Sequence, residues 1–363
     1  MGVMRIRPWL VVLLAAAGYI GLVMARGGGP MGLVLEGTRF SQGLPDGTEG
    51  YDGQFVYYIA RDPLGAAPHI DAPAYRYQRI LYPLLARLAA LGNPVLIPWT
   101  LPLLNLLALA VGTWLAEEML AEAGASRWHA LTVGLYAGQL LSVRVDLPEP
   151  LALALALGGM RALSRRRVGL SAALFALAAL ARETSLLFVA GCGAYLWFGE
   201  SRRRGATFVA LAAAPFILYQ IVLWRWLGSP GVGSGGADAT PFEWLPFAGF
   251  LRIGGAGWRA LALFSLILLP PVILPTLWGL ASAGGDLLRG RHRPWTWALF
   301  ANAAVIPFLP FSTFREPLAM LRFTVPLVAC VVLYAAHRPS WRALRYSSLW
   351  LASLIFLLKD PFL

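Results

Sequence analysis

Apolar residues fall in long runs, and polar residues fall in short clusters between them. The runs lie at 9–25, 97–116, 128–144, 149–163, 168–181, 184–199, 206–227, 257–281, 295–310, 319–336 and 346–358. A helix of about 20 apolar residues crosses a bilayer, so the pattern predicts an all-α polytopic membrane protein. Several runs are shorter than that. Hydropathy alone therefore leaves the number of crossings open, and charge narrows it. Basic clusters occur at Arg161/Arg165/Arg166/Arg167, Arg202/Arg203/Arg204, Arg289/Arg291/Arg293 and Arg338/Arg342/Arg345. If each is cytoplasmic, an even number of crossings separates every pair. The nearly continuous stretch 168–199 must then turn at Ala181-Arg182-Glu183-Thr184, which places that charged turn outside. Parity leads to a bundle of about 11 transmembrane helices in one domain, 1–363, with the N-terminus in the cytoplasm and the C-terminus outside. The first run follows Arg5 and Arg7 and ends at Val23-Met24-Ala25, like a cleavable signal. The many runs behind it favour an uncleaved first span.

Composition agrees with this class. Apolar residues are 58% of the chain and charged residues 13%, where ordinary globular proteins carry roughly a quarter charged. That excludes a soluble enzyme, a disordered scaffold and a secreted disulfide domain. The net charge of +12 is concentrated in the clusters between spans, so it reads as topology in a cytoplasmic membrane and not as a nucleic-acid surface. The partner it implies is the lipid bilayer. The two cysteines, Cys192 and Cys330, lie inside apolar runs and give neither a disulfide framework nor a zinc set. Acids divide unevenly. Glu117, Glu118, Glu122, Glu200 and Asp286 fall inside, and the other acids, Asp238 and Asp360 among them, fall outside. An acidic outer surface and an outer reaction site both predict that bias.

The longest non-spanning stretch is the first outer loop, 26–96. It opens on Gly27-Gly28-Gly29-Pro30, a loop signal. Tyr51 to Asp62 then predicts a short helix stopped by Pro63. Gln54, Tyr57 and Arg61 share its polar face, and Phe55, Tyr58 and Ile59 its apolar face. Tyr75 to Leu88 predicts a second helix, too short to cross, ending at Gly92-Asn93-Pro94. Both suit helices lying at the membrane interface. A second outer loop, 228–256, carries Gly231, Gly233, Gly235 and Gly236 and then Phe242, Trp244, Phe247 and Phe250. It reads as a flexible connector or a substrate-gating lid.

One span followed by two interfacial helices, with an acid at the head of the first, resembles the GT-C class of membrane glycosyltransferases. Tyr51-Asp52-Gly53-Gln54-Phe55, continuing to Tyr58-Ile59-Ala60, is similar to an element of the GPI-anchor mannosyltransferase branch. With Tyr75-Arg76-Tyr77-Gln78-Arg79-Ile80-Leu81-Tyr82-Pro83 it looks closer to bacterial proteins of cell-surface glycopolymer formation. The segments Asp146 to Leu151, Ala181 to Thr184 and Arg315 to Arg322 fit less specifically. The resemblance implies a GT-C-like fold and an inverting transfer of sugar from a polyprenyl-phosphate donor to a glycan, lipid or protein acceptor at the outer face. Asp52 stands where the class has its catalytic base, and Gln54, Tyr58 and Gln78 lie in the matched strings.

The residue types carry their own reasoning. A carboxylate can deprotonate an acceptor hydroxyl, and Asp before Gly at a helix start is also a strong capping choice. Arginine pairs with two phosphate oxygens at once, which makes Arg61, Arg76, Arg79, Arg182, Arg315 and Arg322 candidates for the donor phosphate. Each also suits snorkelling or a local ion pair, and Arg182-Glu183 suits a structural pair at its turn. Asp146, Glu149 and Glu183 are candidates for a second acid that orients the acceptor. Asp146 and Glu149 equally suit a helix dipole. No metal-ligand spacing is present. A divalent cation on outer carboxylates is compatible with the chemistry, and nothing requires one. Two other functions share these features: a lipid-linked-glycan transporter or flippase, and a non-catalytic subunit of a glycopolymer assembly complex. A transporter predicts internal repeats and charges near the membrane midplane.

Overall fold

The computed structural model describes residues 6–236 and 239–357. Arg5, Asp238 and Asp360 lie outside them, as does the end of the run 346–358. Among the described residues the secondary structure is helical, apart from one isolated bridge between Glu36 and Gly50. Four helices are long and apolar enough to cross a membrane: Pro8–Arg26, Ile97–Glu122, Arg202–Leu227 and Trp258–Leu288. Pro317–Phe323 and Val325–His337, bent by 45°, make a fifth if taken as one span. The other runs give shorter helices. Glu149–Ser164, Val168–Ala181, Leu186–Gly199 and Pro294–Val305 have 16, 14, 14 and 12 residues, below the roughly 20 of a full crossing. Length and composition thus give four or five crossings where charge parity expects about 11.

The stretch 168–199 turns where the charge pattern requires. Val168–Ala181 ends at Arg182, whose backbone is extended (φ −155°, ψ 124°), and one 3-10 turn, Glu183–Ser185, leads into Leu186–Gly199. Val168 and Gly169 before the turn and Glu200 and Ser201 after it line the same cavity. The two helices therefore leave one end of the bundle and return to it. Phe175 and Phe188 stack between them at 6.2 Å, and Phe208 meets Phe175 edge-on at 6.0 Å. Such ring pairs add about 0.5–1.5 kcal/mol each beyond their area.

All four basic clusters collect at that end. Arg166, Arg203, Arg204, Arg291, Arg293 and Arg338 line the cavity. Close by, Arg161 and Arg165 hold Glu122 at 2.9 and 2.8 Å, and Arg7 pairs with Glu117 and Glu118. Glu149–Ser164, Leu186–Gly199 and Val325–His337 run from this basic end to the opposite one.

The first loop forms the expected helix, Gly53–Arg61, ended before Pro63 by Asp62, whose backbone has left the helical region (φ −143°, ψ 88°). Its faces are not those expected. Gln54 and Tyr57 are buried and Arg61 is exposed. Gln54 is consumed by the loop itself, accepting from Gly37 N–H at 3.0 Å and donating to the Glu49 carbonyl at 2.6 Å. The second segment is two helices, Pro73–Tyr77 and Leu81–Ala89. A single helix would set the Pro83 ring against the Arg79 carbonyl four residues back. The described part of the loop 228–256 makes several hydrogen bonds. Gln220 Oε1 accepts from Gly231 N–H at 2.8 Å, Thr240 and Ser312 bond reciprocally, and Glu243 N–H reaches the Phe308 carbonyl at 2.9 Å. Gly231 lies so close to the Ala74 carbonyl that an added Cβ would stand 2.6 Å from it.

Candidate functional site

Asp52 occupies the cap position of Gly53–Arg61, yet its side chain makes no capping hydrogen bond. The carboxylate turns instead to Arg76, at 3.0 Å, and to Arg322, at 3.6 Å. Gly53 makes this placement feasible. Any Cβ there would run into the Val145 carbonyl, so only glycine lets the helix start seat on the 145–148 turn. That contact brings Asp52 beside the beginning of Glu149–Ser164.

The break in the second segment positions two arginines. Arg76 forks onto Asp71 through bonds of 2.9 and 2.9 Å and gives its remaining nitrogen to Asp52. Its guanidinium also lies 4.6 Å from the Phe55 ring centroid, a cation–π contact. Arg79 forks onto Glu183 at 2.9 and 2.7 Å and donates to the Tyr75 hydroxyl at 2.8 Å. Arg322 is placed in the same manner from the far end of the chain. Pro326 stands four residues after it, so the helix must break there, and the 45° bend between Pro317–Phe323 and Val325–His337 is the result. Arg322 then reaches Asp52, Glu149 at 3.9 Å and Glu316 at 3.9 Å, and lies over the Tyr51 ring. Arg182 closes the group by pairing with Glu149.

Four guanidiniums (Arg76, Arg79, Arg182, Arg322) and five carboxylates (Asp52, Asp71, Glu149, Glu183, Glu316) thus meet in one cluster. Burial opposes the charge on Asp52, but Arg76, Arg322 and Arg79 outweigh it and hold its carboxyl below the ordinary range. Burial likewise opposes the charge on Glu183, and the Arg79 fork overrides it, bringing the carboxyl to about 2. Both acids are ionised at neutral pH. The cluster is open on one side, where Asp52 is 28% and Glu316 48% exposed, and closed on the other, where Glu149 is 2% exposed. Beneath it Glu149, Arg182 and Arg322 border a hollow of about 10 Å³, about the volume one water occupies. Among the described residues no group of three or more His, Cys, Asp or Glu side chains is placed to hold a metal ion.

Seven residues singled out by sequence meet here: Asp52, Arg76, Arg79, Arg182, Arg322, Glu149 and Glu183. Arg182 and Glu183 do not pair with each other, as a structural pair at the turn would, but with Glu149 and Arg79. Six others lie elsewhere. Arg61 is exposed and its backbone carbonyl accepts from Arg87 at 2.6 Å. Arg315 is exposed and rests over Phe311 at 5.9 Å. Asp146 is fully buried with left-handed backbone (φ 50°), and burial, opposed by Arg144, pushes its carboxyl well up. It therefore belongs to the turn and not to the charged cluster. Gln54 braces the loop, Tyr58 packs on Tyr57 and His69, and Gln78 packs under Gly231. Sequence reasoning left out Asp71, Glu316, Tyr51 and Tyr75 as site residues. One available signal was Arg79 and Arg322 each standing four residues before a proline.

Comparison with protein-family models, with curated proteins and with solved structures finds no match for this chain.

Proposed function

We propose that the chain is a GT-C-like glycosyltransferase that moves a sugar from a polyprenyl-phosphate donor to a glycan, lipid or protein acceptor at the outer face of the cytoplasmic membrane. One observation carries the reading. Asp52, the acid the family resemblance puts in the base position, leaves its helix cap unmade and sits against Arg76 and Arg322 in a cluster of four arginines. In this reading the short helices complete the expected crossings, and the helices of both first-loop segments lie at the interface.

The chemistry follows from competition for those arginines. A donor phosphate takes up the forked N–H groups of Arg76, Arg79 and Arg322. It thereby withdraws the positive field from Asp52, whose proton affinity rises toward the range a general base needs. Asp52 then accepts the proton of the acceptor hydroxyl as its oxygen bonds to the anomeric carbon. The bond from that carbon to the phosphate oxygen breaks, the electron pair leaves on polyprenyl phosphate, and the arginines stabilise the developing charge. A single displacement inverts the anomeric centre. A transporter would want charges midway along its spans, whereas Glu149, Arg182 and Arg322 sit at helix ends.

The test is release of polyprenyl phosphate by the purified protein in nanodiscs, given a panel of polyprenyl-phosphate sugars and acceptor glycans. Release that Asp52→Asn abolishes supports the reading. No release from any donor, or equal release by the variant, removes it.

A further inference from the structure

The end of the bundle away from Asp52 holds a cavity of about 1210 Å³. Each of the four basic clusters contributes to its wall: Arg166, then Arg203 and Arg204, then Arg291 and Arg293, then Arg338. Two acids answer them. Glu200 takes Arg204 at 2.7 Å, and Asp286 takes Arg291 and Arg338, each at 3.5 Å. Arg166, Arg203 and Arg293 have no carboxylate partner among the described residues. Cations without carboxylate partners around one cavity make a site for an anion.

Size and lining narrow the anion. Ligand pockets usually occupy about 300–1,000 Å³, so this one is far too large for a bare phosphate. Its lining is amphiphilic, because the exposed Leu211 stands beside the arginines. Leu211 belongs to Arg202–Leu227, only 22% of whose apolar window is buried by the rest of the chain. The cavity thus adjoins a helix whose outer surface is free for lipid. We propose that this cavity binds a phosphate-headed lipid, its head on Arg166, Arg203 and Arg293 and its chain along Leu211. The proposal is independent of the transfer reaction and of which side of the membrane this end faces.

The test compares two charge-matched triple variants. Arg166→Gln/Arg203→Gln/Arg293→Gln removes the cavity arginines that lack a carboxylate partner. Arg167→Gln/Arg202→Gln/Arg289→Gln removes three arginines of the same clusters that are equally exposed but do not line the cavity. Binding of phosphatidylglycerol is read by native mass spectrometry from phosphatidylcholine nanodiscs, with melting temperature checking the fold of each sample. The single variant Arg203→Gln serves if a triple misfolds. An arginine near an anionic lipid surface is worth roughly fivefold in affinity, so the cavity triple is expected to weaken binding on the order of a hundredfold. Equal losses in both triples, or none in the cavity triple, would overturn the proposal. So would displacement of the lipid by inorganic phosphate or pyrophosphate at equal concentration, which marks a soluble anion as the ligand.

Discussion

Arg79 holds Glu183 through two parallel N–H···O bonds, of 2.9 and 2.7 Å. The pair joins the first loop to the turn between two helices, and both side chains are mostly shielded from water. A buried pair broken on one side costs roughly 3–5 kcal/mol, because the remaining charge is uncompensated. Arg79→Ala is therefore expected to lower both stability and sugar transfer. Arg79→Ala/Glu183→Ala should recover most of the stability, since no charge is stranded, and should recover none of the transfer. Thermal melts and transfer assays on the same samples check this. Recovery of transfer in the double variant would reduce Arg79 to a structural role.

Glu183 also makes stability depend on pH. Its folded pKa, about 2, lies below the ordinary 4.5. The stability it contributes is fully present above 4.5 and is lost as pH falls from 4.5 toward 2. The shift corresponds to roughly 3 kcal/mol. Unfolding measured between pH 6 and pH 2 should show that loss in the wild type and a flatter profile in Glu183→Gln. Parallel profiles would mean that the Arg79 fork does not hold Glu183 ionised.

Asp52 gives a prediction with two signs. Asp52→Asn removes the proton acceptor and frees part of Arg76 and Arg322. Transfer should fall about 10²–10⁴-fold, the usual contribution of a general base, while donor phosphate should bind more tightly. Because the native side chain makes no cap bond but pairs with Arg76 and Arg322, Asp52→Ala should be no less stable than Asp52→Asn, whereas a lost cap would make it about 0.5–2 kcal/mol worse. Titration with donor and a melt of each variant decide both points. Weaker donor binding in Asp52→Asn would contradict the exchange of Asp52 for phosphate.

Orientation is checked by labelling. Ser41, Ser201 and Ser234 are exposed, and both native cysteines are buried. Ser41→Cys and Ser234→Cys should react with an impermeant maleimide added to intact cells, and Ser201→Cys should not. The reverse pattern would turn the molecule over.

The parts of this architecture that depend on local rules were legible in the sequence. Pro63 stops the first loop helix, charge parity locates the turn at Arg182, and the four basic clusters do assemble at one end. What depends on packing was not. Gln54 occupies a polar helical position, yet a neighbouring turn needs both ends of its amide. Arg182 and Glu183 invite each other as neighbours, but the extended backbone at Arg182 sends them to Glu149 and Arg79. Asp71 and Glu316 have no local pattern to mark them. Their roles exist only once prolines have broken the helices that carry Arg79 and Arg322.

The three helices that join the charged cluster to the basic cavity have 13 to 16 residues, or roughly 20–24 Å at 1.5 Å per residue. A bilayer's hydrocarbon core is about 30 Å thick. If these helices cross as proposed, this flank is shorter than the lipid, and the mismatch is met by drawing the two leaflets together. A lipid phosphate in the pinched leaflet would then ride at the depth of Arg76, Arg79 and Arg322. Membrane thickness would become a control variable: lipids with longer acyl chains should raise the headgroups away from the arginines and slow the proposed transfer with every residue intact.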